Sequence, residues 1–223
     1  MTASGANKDF LKTLDRGLAV IKSFDGDTPR MTLSEVARKN SMSRASARRF
    51  LLTLQSLGYV IKVDYNFQLT AKILEVGHQF LSNLNFIEVI TPFLREASRL
   101  LYKACSASIL NETDIVYIAR IPSQHQILSV NLNIGSRLPA YCTSMGRVLL
   151  GNLNAQELDA YFKKADLVSL TPHTVTDIKN LHNIIKQTRI DGYSIVNQEL
   201  EENLCSVAVP YVTSRERCSV RLM

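Results

Sequence analysis

Three arginines and two serines at the head of one expected helix have a spacing that invites chemistry. In Ser43-Arg44-Ala45-Ser46-Ala47-Arg48-Arg49, Ser43 is a favoured N-cap type. The run that follows has no helix breaker until Gly58, which fits a C′ glycine. At about 100° per residue, Ala47, Phe50, Leu51, Leu54 and Leu57 share one side of this helix, while Arg44, Ala45, Arg48 and Arg49 share the other. An arginine fork pairs with guanine O6 and N7 or with phosphate oxygens. Ser43 and Ser46 add hydroxyls close to the positive end of the helix dipole. The plain alternative is a solvated face. Three arginines within six residues, none with an acidic residue four positions away, weaken it. The expected DNA-contacting set is therefore Ser43, Arg44, Ala45, Ser46, Arg48 and Arg49.

A second stretch, IGSRLPAYCTSMGRVLLG at residues 134–151, reads as a turn leading into a helix start. Gly135 and Pro139 mark turns, and Thr143 and Ser144 are cap types for a helix through Met145, Gly146 and Arg147 to Leu150. Backbone N–H groups of Ser144, Met145 and Gly146 would offer an anion site, with Gly146 letting a ligand approach the backbone. Arg137 and Arg147 are near in sequence, and Leu138, Pro139 and Tyr141 supply apolar walls. A small carboxylate with a flat apolar body suits such a pocket. An ordinary capped core helix explains the same residues.

Catalytic constellations are thin. Cys142 with His173, or His125 with Asp114, lie at no motif spacing and beside no strand-to-helix nucleophile turn. Glu199, Glu201 and Glu202 read as a solvated segment, and glycine-rich phosphate loops are missing. The four cysteines, Cys105, Cys142, Cys205 and Cys218, form no CxxC pair and have no histidine at zinc-ligand spacing. Neither an enzyme, a metal nor a cofactor is expected.

The elements that must position these residues follow from periodicity. Leu14, Leu18, Val20, Ile21 and Phe24 predict a helix over 13–24, stopped by Asp25-Gly26-Asp27-Thr28-Pro29. A short helix follows Thr32, and Ser41-Met42-Ser43 separates it from the arginine-bearing one, as in a helix-turn-helix. Tyr59–Val63 and Phe67–Leu69 predict a hairpin wing around Asp64-Tyr65-Asn66. Ile73, Gly77, Phe80 and Leu84 continue a helix across 71–84, and residues 86–103 predict another, with Pro92 in its first turns. Then the period changes to strands at 107–110, 115–118 and 127–130. Helices are expected at 143–150, 155–164 and 177–189, and strands at 193–196 and 207–209. That mixed order implies an α+β second domain.

The run MTLSEVARKNSMSRASARRFLLTLQSLGYV, its wing and the following LTAKILEVG resemble the DNA-binding domain of the IclR family of bacterial transcriptional regulators. LPAYCTSMGRVLL and GYSIVNQELEENLCSVAVP are similar to that family's effector domain. The resemblance implies a winged helix-turn-helix over 10–70, a linker helix over 71–85 and a GAF-like α/β effector-binding domain over 86–223. It places Leu138, Ser144 and Met145, with Gly146 beside them, at a small-molecule effector, joined by Val196 or Asn197 and by Ser206. The family often has Asp at the two positions held here by Val196 and Asn197, so the acidic partner is missing. The stretch VNLNIGSRLPAYCTSMGRVLLG at 130–151 most resembles regulators of the β-ketoadipate pathway, which answer to protocatechuate, 4-hydroxybenzoate or β-ketoadipate. An activator of aromatic-acid catabolic genes is implied, acting as a homodimer or tetramer on double-stranded operator DNA, with RNA polymerase as a further partner. The alternatives are a repressor answering to another organic acid and a winged-helix protein-interaction module. The ending YVTSRERCSVRLM does not match the family's last strand and helix, which implies an effector domain truncated there and missing a sheet strand.

Charge agrees with two domains of different partners. The chain has 223 residues, with Lys+Arg 26 against Asp+Glu 20. Residues 1–72 hold twelve basic and six acidic side chains and the rest hold fourteen of each, so the surplus of +6 lies entirely in the first third. The first ten residues have no apolar h-region, and no apolar run approaches the roughly 20 residues of a membrane helix, so a cytoplasmic protein is expected.

Overall fold

Helix α1 (Lys12–Lys22) ends where Ser23 turns its hydroxyl onto the Val20 carbonyl at 2.7 Å, and Asp25 then accepts from the Thr28 N–H to close the turn. A computed structural model of the chain describes residues 9–83, 86–122, 132–212 and 217–222. It divides into two units, Met1–Asn83 and Leu84–Met223.

In the first unit, strand β1 (Arg30–Thr32) leads into α2 (Leu33–Lys39), where Thr32 and Glu35 form a reciprocal capping box. After a turn with Ser41 at φ 49°, α3 (Arg44–Ser56) starts on the Ser43 cap. Its end is a Schellman motif. Gly58, at φ 82°, donates to Gln55 O and Tyr59 to Leu54 O. Strands β2 (Val60–Val63) and β3 (Asn66–Leu69) form the expected wing, and β1 adds to it in the order β1-β3-β2. Val20, Met31, Val36, Ala47, Leu51 and Val60 are the buried centre. Leu57, placed by periodicity on the inward face of α3, is 53% exposed, because the Schellman turn has already begun there. A single 3₁₀ turn (Ala71–Ile73) precedes α4 (Leu74–Asn83).

The second unit opens with α5 (Phe86–Leu101), whose Pro92 is its seventh residue and so lies past the first turn, where its ring removes one backbone bond of the ladder. A hairpin of β4 (Cys105–Asn111) and β5 (Asp114–Ile121), the short β6 (Arg137–Pro139), β7 (Ser194–Asn197), β8 (Cys205–Val212) and β9 (Arg217–Leu222) make a six-stranded sheet. Its order is β6-β5-β4-β9-β8-β7. Between β5 and β7 the chain forms α6 (Ser144–Leu150), α7 (Ala155–Lys164) and α8 (Ile178–Asp191). Alternation along β4 sends Cys105 and Ala107 into a cluster with Ile90 and Leu94 of α5, and Leu110 into the larger core around α6. Those are the two faces of the sheet.

One expectation changes here. The strand expected to be missing is supplied by Arg217–Leu222, which pairs antiparallel with β4 (Cys105↔Leu222) and with β8 (Val207↔Leu222). Pairing on both sides makes this segment a strand, whatever its weak local pattern. The strand expected at 127–130 lies outside the described residues. Among the described residues, no helix is long and apolar enough to cross a membrane, and no group of three or more His, Cys, Asp or Glu is placed to hold a metal ion.

Candidate functional site

The candidate residues form two groups, one on α3 and one at the start of α6. Ala47, Leu51 and Leu54 are buried against Val20, Val36 and Val60, which fixes the rotation of α3. Arg44, Ala45, Arg48 and Arg49 are consequently exposed, and none of the three arginines joins an ion pair among the described residues. The two serines are partly spent on the helix itself. Ser46 N–H donates to Ser43 Oγ at 3.2 Å, and Ser43 Oγ–H donates to Ser46 Oγ at 3.1 Å. Each hydroxyl keeps lone pairs or a proton for an outside partner, but the cap is their first occupation.

At α6, the Thr143 hydroxyl caps the helix by accepting from Gly146 N–H at 3.2 Å, while its own proton goes to the Pro139 carbonyl at 3.2 Å. Ser144 and Ser206, far apart in sequence, meet in the interior with Ser144 Oγ donating to Ser206 Oγ at 3.0 Å. Both are buried. Met145 is fully buried in the core cluster against which Leu138 packs.

Strand register separates the two candidates on β7. Val196 pairs with Ser206 and Asn197 with Cys205, and the alternation of β7 buries Val196 to 2% while exposing Asn197. Cross-strand partners share a face, so Val196 lies on the Ser206 side and Asn197 on the other. Asn197 is thereby removed from the effector set. Gly146 is corrected as well: a Cβ there would lie 2.0 Å from the Ala140 carbonyl oxygen, so the glycine accommodates the chain's own backbone, and its N–H is already given to Thr143.

The charges near α6 are structural. Arg147, read as a neighbour of the anion site, is 2% exposed. Its Nε donates to Tyr141 O at 2.9 Å and its Nη2 to Glu199 Oε2 at 2.6 Å, and that same carboxylate oxygen accepts from Val175 N–H at 3.1 Å. Glu199 is thus a buried ion-pair partner, 7% exposed, and not part of a solvated segment. Thr171 and Thr174 donate their hydroxyls to Gln198 O and Glu199 O, both at 2.6 Å, which ties the irregular segment after α7 to the end of β7. Nothing local in the sequence marks these threonines. Arg137 instead turns to the β4–β5 hairpin, bonding Asp114 at 3.0 Å and Asn111 at 2.7 Å. Burial, then the Glu199 carboxylate, pushes the Cys142 thiol up to about 12, which leaves it protonated and a poor nucleophile at neutral pH. His125 lies outside the described residues.

Each of the two units resembles a known domain. The profile of the IclR helix-turn-helix domain matches residues 13–64, and that of the bacterial transcriptional regulator IclR C-terminal domain matches residues 78–220. The chain is 40% identical to the Pca regulon regulatory protein of Pseudomonas putida over 91% of this chain and 69% of that protein. It is 31% identical to the p-hydroxybenzoate hydroxylase transcriptional activator of Acinetobacter baylyi over 93% of this chain and 78% of that one. The crystal structure of a transcriptional regulator from Rhodococcus sp. RHA1 superposes with a TM-score of 0.81 at 46% identity, covering 96% of this chain and 86% of that one.

Proposed function

The chain belongs to the IclR family of bacterial transcriptional regulators, and from that premise we propose that it activates genes of aromatic-acid catabolism in response to a small aromatic carboxylate. It is a regulator and not an enzyme. The observation that carries its DNA role is the arginine face of α3: three guanidiniums held outward by a buried opposite face and joined to no acidic partner among the described residues. In this reading Arg44, Arg48 and Arg49, with Ala45 small enough to let the backbone approach, enter the major groove of operator DNA. Ser43 and Ser46 contact phosphate with what their cap bonds leave free.

The effector reading rests on Ser144 and Ser206, two buried hydroxyls bonded to each other, with Val196 opposite Ser206 and with Leu138 packed on the core cluster that holds Met145, together with the identity to the Pca regulon protein and to the p-hydroxybenzoate hydroxylase activator. Hydroxyls that now bond each other reorient to a ligand carboxylate, exchanging a neutral hydrogen bond for charge-assisted ones. Protocatechuate and 4-hydroxybenzoate are the acids of choice. Homodimers or tetramers, joined in part through α4, would set two winged helices on two half-sites in the cytoplasm, and the effector-bound form would engage RNA polymerase.

Calorimetric titration of protocatechuate, 4-hydroxybenzoate and β-ketoadipate into the full chain tests the effector. The expected result is one-to-one binding of at least one acid, weakened in Ser206→Ala. Binding of none removes the aromatic-acid assignment and leaves the regulator.

A further inference from the structure

Every second residue of β4 faces the core around α6, and the first two of these are serines. Cys105, Ala107 and Ile109 belong to the α5 cluster, so Ser106, Ser108 and Leu110 lie on the α6 side. Ser106 is 1% exposed and Ser108 is fully buried. Opposite Ser106 on β5 stands Arg120, half-buried, whose Nη1 donates to Ser106 Oγ at 3.3 Å. Its guanidinium thus reaches from its own strand across to β4. Much of the same sheet face is apolar, Ile115, Tyr117 and Ala208 included. A cation with two buried hydroxyls is out of place in such a core unless a polar partner comes to it. Register sets the distance from this group to Ser206. Ser106 pairs on its other side with Arg221 of β9, Arg221 pairs with Ala208 of β8, and Ser206 is two residues from Ala208 on the same face. Two strand spacings and two residues along separate Ser106 from Ser206, about 12 Å between their Cα atoms. Hydrogen bonds of about 2.8 Å at either end leave the length of one six-membered ring with a substituent at each end.

We propose that Arg120, positioned by Ser106, is the far polar end of the acid site, and that the effector is an acid carrying a second polar oxygen opposite its carboxylate, either a para-hydroxyl or a second carboxylate. This rests on the acid reading above, in which Ser144 and Ser206 take the first carboxylate. The planar guanidinium fork bonds a carboxylate through two parallel N–H groups, and next to a phenolic oxygen its charge favours the ionised form. A ligand with a methyl group at that end would set an apolar surface against a cation and a buried hydroxyl, which leaves polar groups without a bond that the hydroxylated acid supplies. The selection is therefore for acids with two polar ends. An arginine present only to brace β5 against β4 would be indifferent to the substituent.

The probes are 4-hydroxybenzoate and 4-methylbenzoate, acids of nearly the same shape, titrated calorimetrically into the full chain. The hydroxylated acid is expected to bind at least about tenfold more tightly. Arg120→Met is expected to erase that preference by weakening 4-hydroxybenzoate alone, its unchanged affinity for 4-methylbenzoate showing that the site is still folded. Ser206→Ala is expected to weaken both acids alike. Ser106→Ala, a smaller change at the positioning residue, is expected to lower the preference part of the way. Bound 4-hydroxybenzoate should also form its phenolate at lower pH than the free acid, seen in its ultraviolet absorbance, in the parent chain and not in Arg120→Met. Equal affinity of the parent for the two acids, or a preference that survives Arg120→Met, overturns the proposal and leaves the acid reading standing. Equal weakening of both acids by Arg120→Met assigns the guanidinium to the first carboxylate and overturns it too. Binding of neither acid to the parent chain removes the acid reading itself, and the far end with it.

Discussion

Arg147 holds three segments of the second unit at one guanidinium: the loop before α6 through Tyr141 O, the end of β7 through Glu199, and the irregular segment at Val175 through the shared carboxylate oxygen. Taking two charges out of water is costly, and their attraction recovers that cost only while both are present. Glu199→Ala is therefore expected to destabilise the chain by about 3–5 kcal/mol in urea denaturation, with the Arg147→Met/Glu199→Leu double variant recovering part of the loss. A loss in Glu199→Ala no larger than that of an exposed pair would show the bond to be dispensable. Asp25 gives the opposite kind of charge, exposed and in the first unit. Hydrogen bonds from Lys39 and Thr28 hold its carboxyl well below the usual carboxylate range. A depressed folded-state pKa contributes stability that is present above the unfolded value and is lost as pH falls through the folded one. Between about pH 5 and about pH 2, Asp25→Asn should thus lose less thermal stability than the parent chain. At this scale the sequence was legible where a residue's role is local. Ser43 as cap, the outward arginines and Gly58 as C′ follow from neighbours within one helix. Glu199 was misread as solvated because its partner lies 52 positions away, and Val196 and Asn197 stood as alternatives because one residue of register inverts the face of a strand.

Elements declared themselves in proportion to how much of their stability is local. Capped amphipathic helices such as α2 and α7, each with a capping box, have their ends written in residue type. The wing is a hairpin with a two-residue turn and needs no distant partner. Strands β1, β6 and β9 gave little signal, since the first two have three residues each and β9 owes its form to β4 and β8 on either side. Helix α6 shows how one position sets an element against its neighbour. Its Gly146 lets the loop at Ala140 lie directly on the helix, and even a methyl group would come within 2.4 Å of Ala140 Cα. Gly146→Ala improves helix propensity by about 1 kcal/mol, yet the loop must shift to admit it, and overpacking of this kind costs about 1–3 kcal/mol or more. The net expectation is a lower unfolding midpoint together with weaker acid binding at Ser144 and Ser206, because the same loop positions Thr143 and the first turn of α6. An unchanged midpoint would mean that the loop yields freely and that the glycine has no packing role.

At the scale of the whole molecule the charge distribution decides what can be measured. The excess of basic groups is confined to residues 1–72, so association with DNA should weaken steeply with salt, the logarithm of the binding constant falling in proportion to the number of phosphates neutralised. Helix α4 then links assembly to that slope. With the turn before it, α4 presents Ile73, Val76, Gly77 and Phe80 at helical spacing, with Val76 64% and Phe80 53% exposed, an apolar stripe of the kind that pairs helices between subunits. If two copies join there, the assembly neutralises the phosphates of two half-sites and one copy those of one. Phe80→Asp is expected to halve the sedimenting mass, or to reduce a tetramer to a smaller form, and to lower the magnitude of the salt slope to about half, while the affinity of each winged helix for its own half-site is retained. A variant that sediments as the parent does and keeps the full slope would remove α4 from the subunit contact. One that keeps its mass but loses slope would instead place Phe80 beside the DNA.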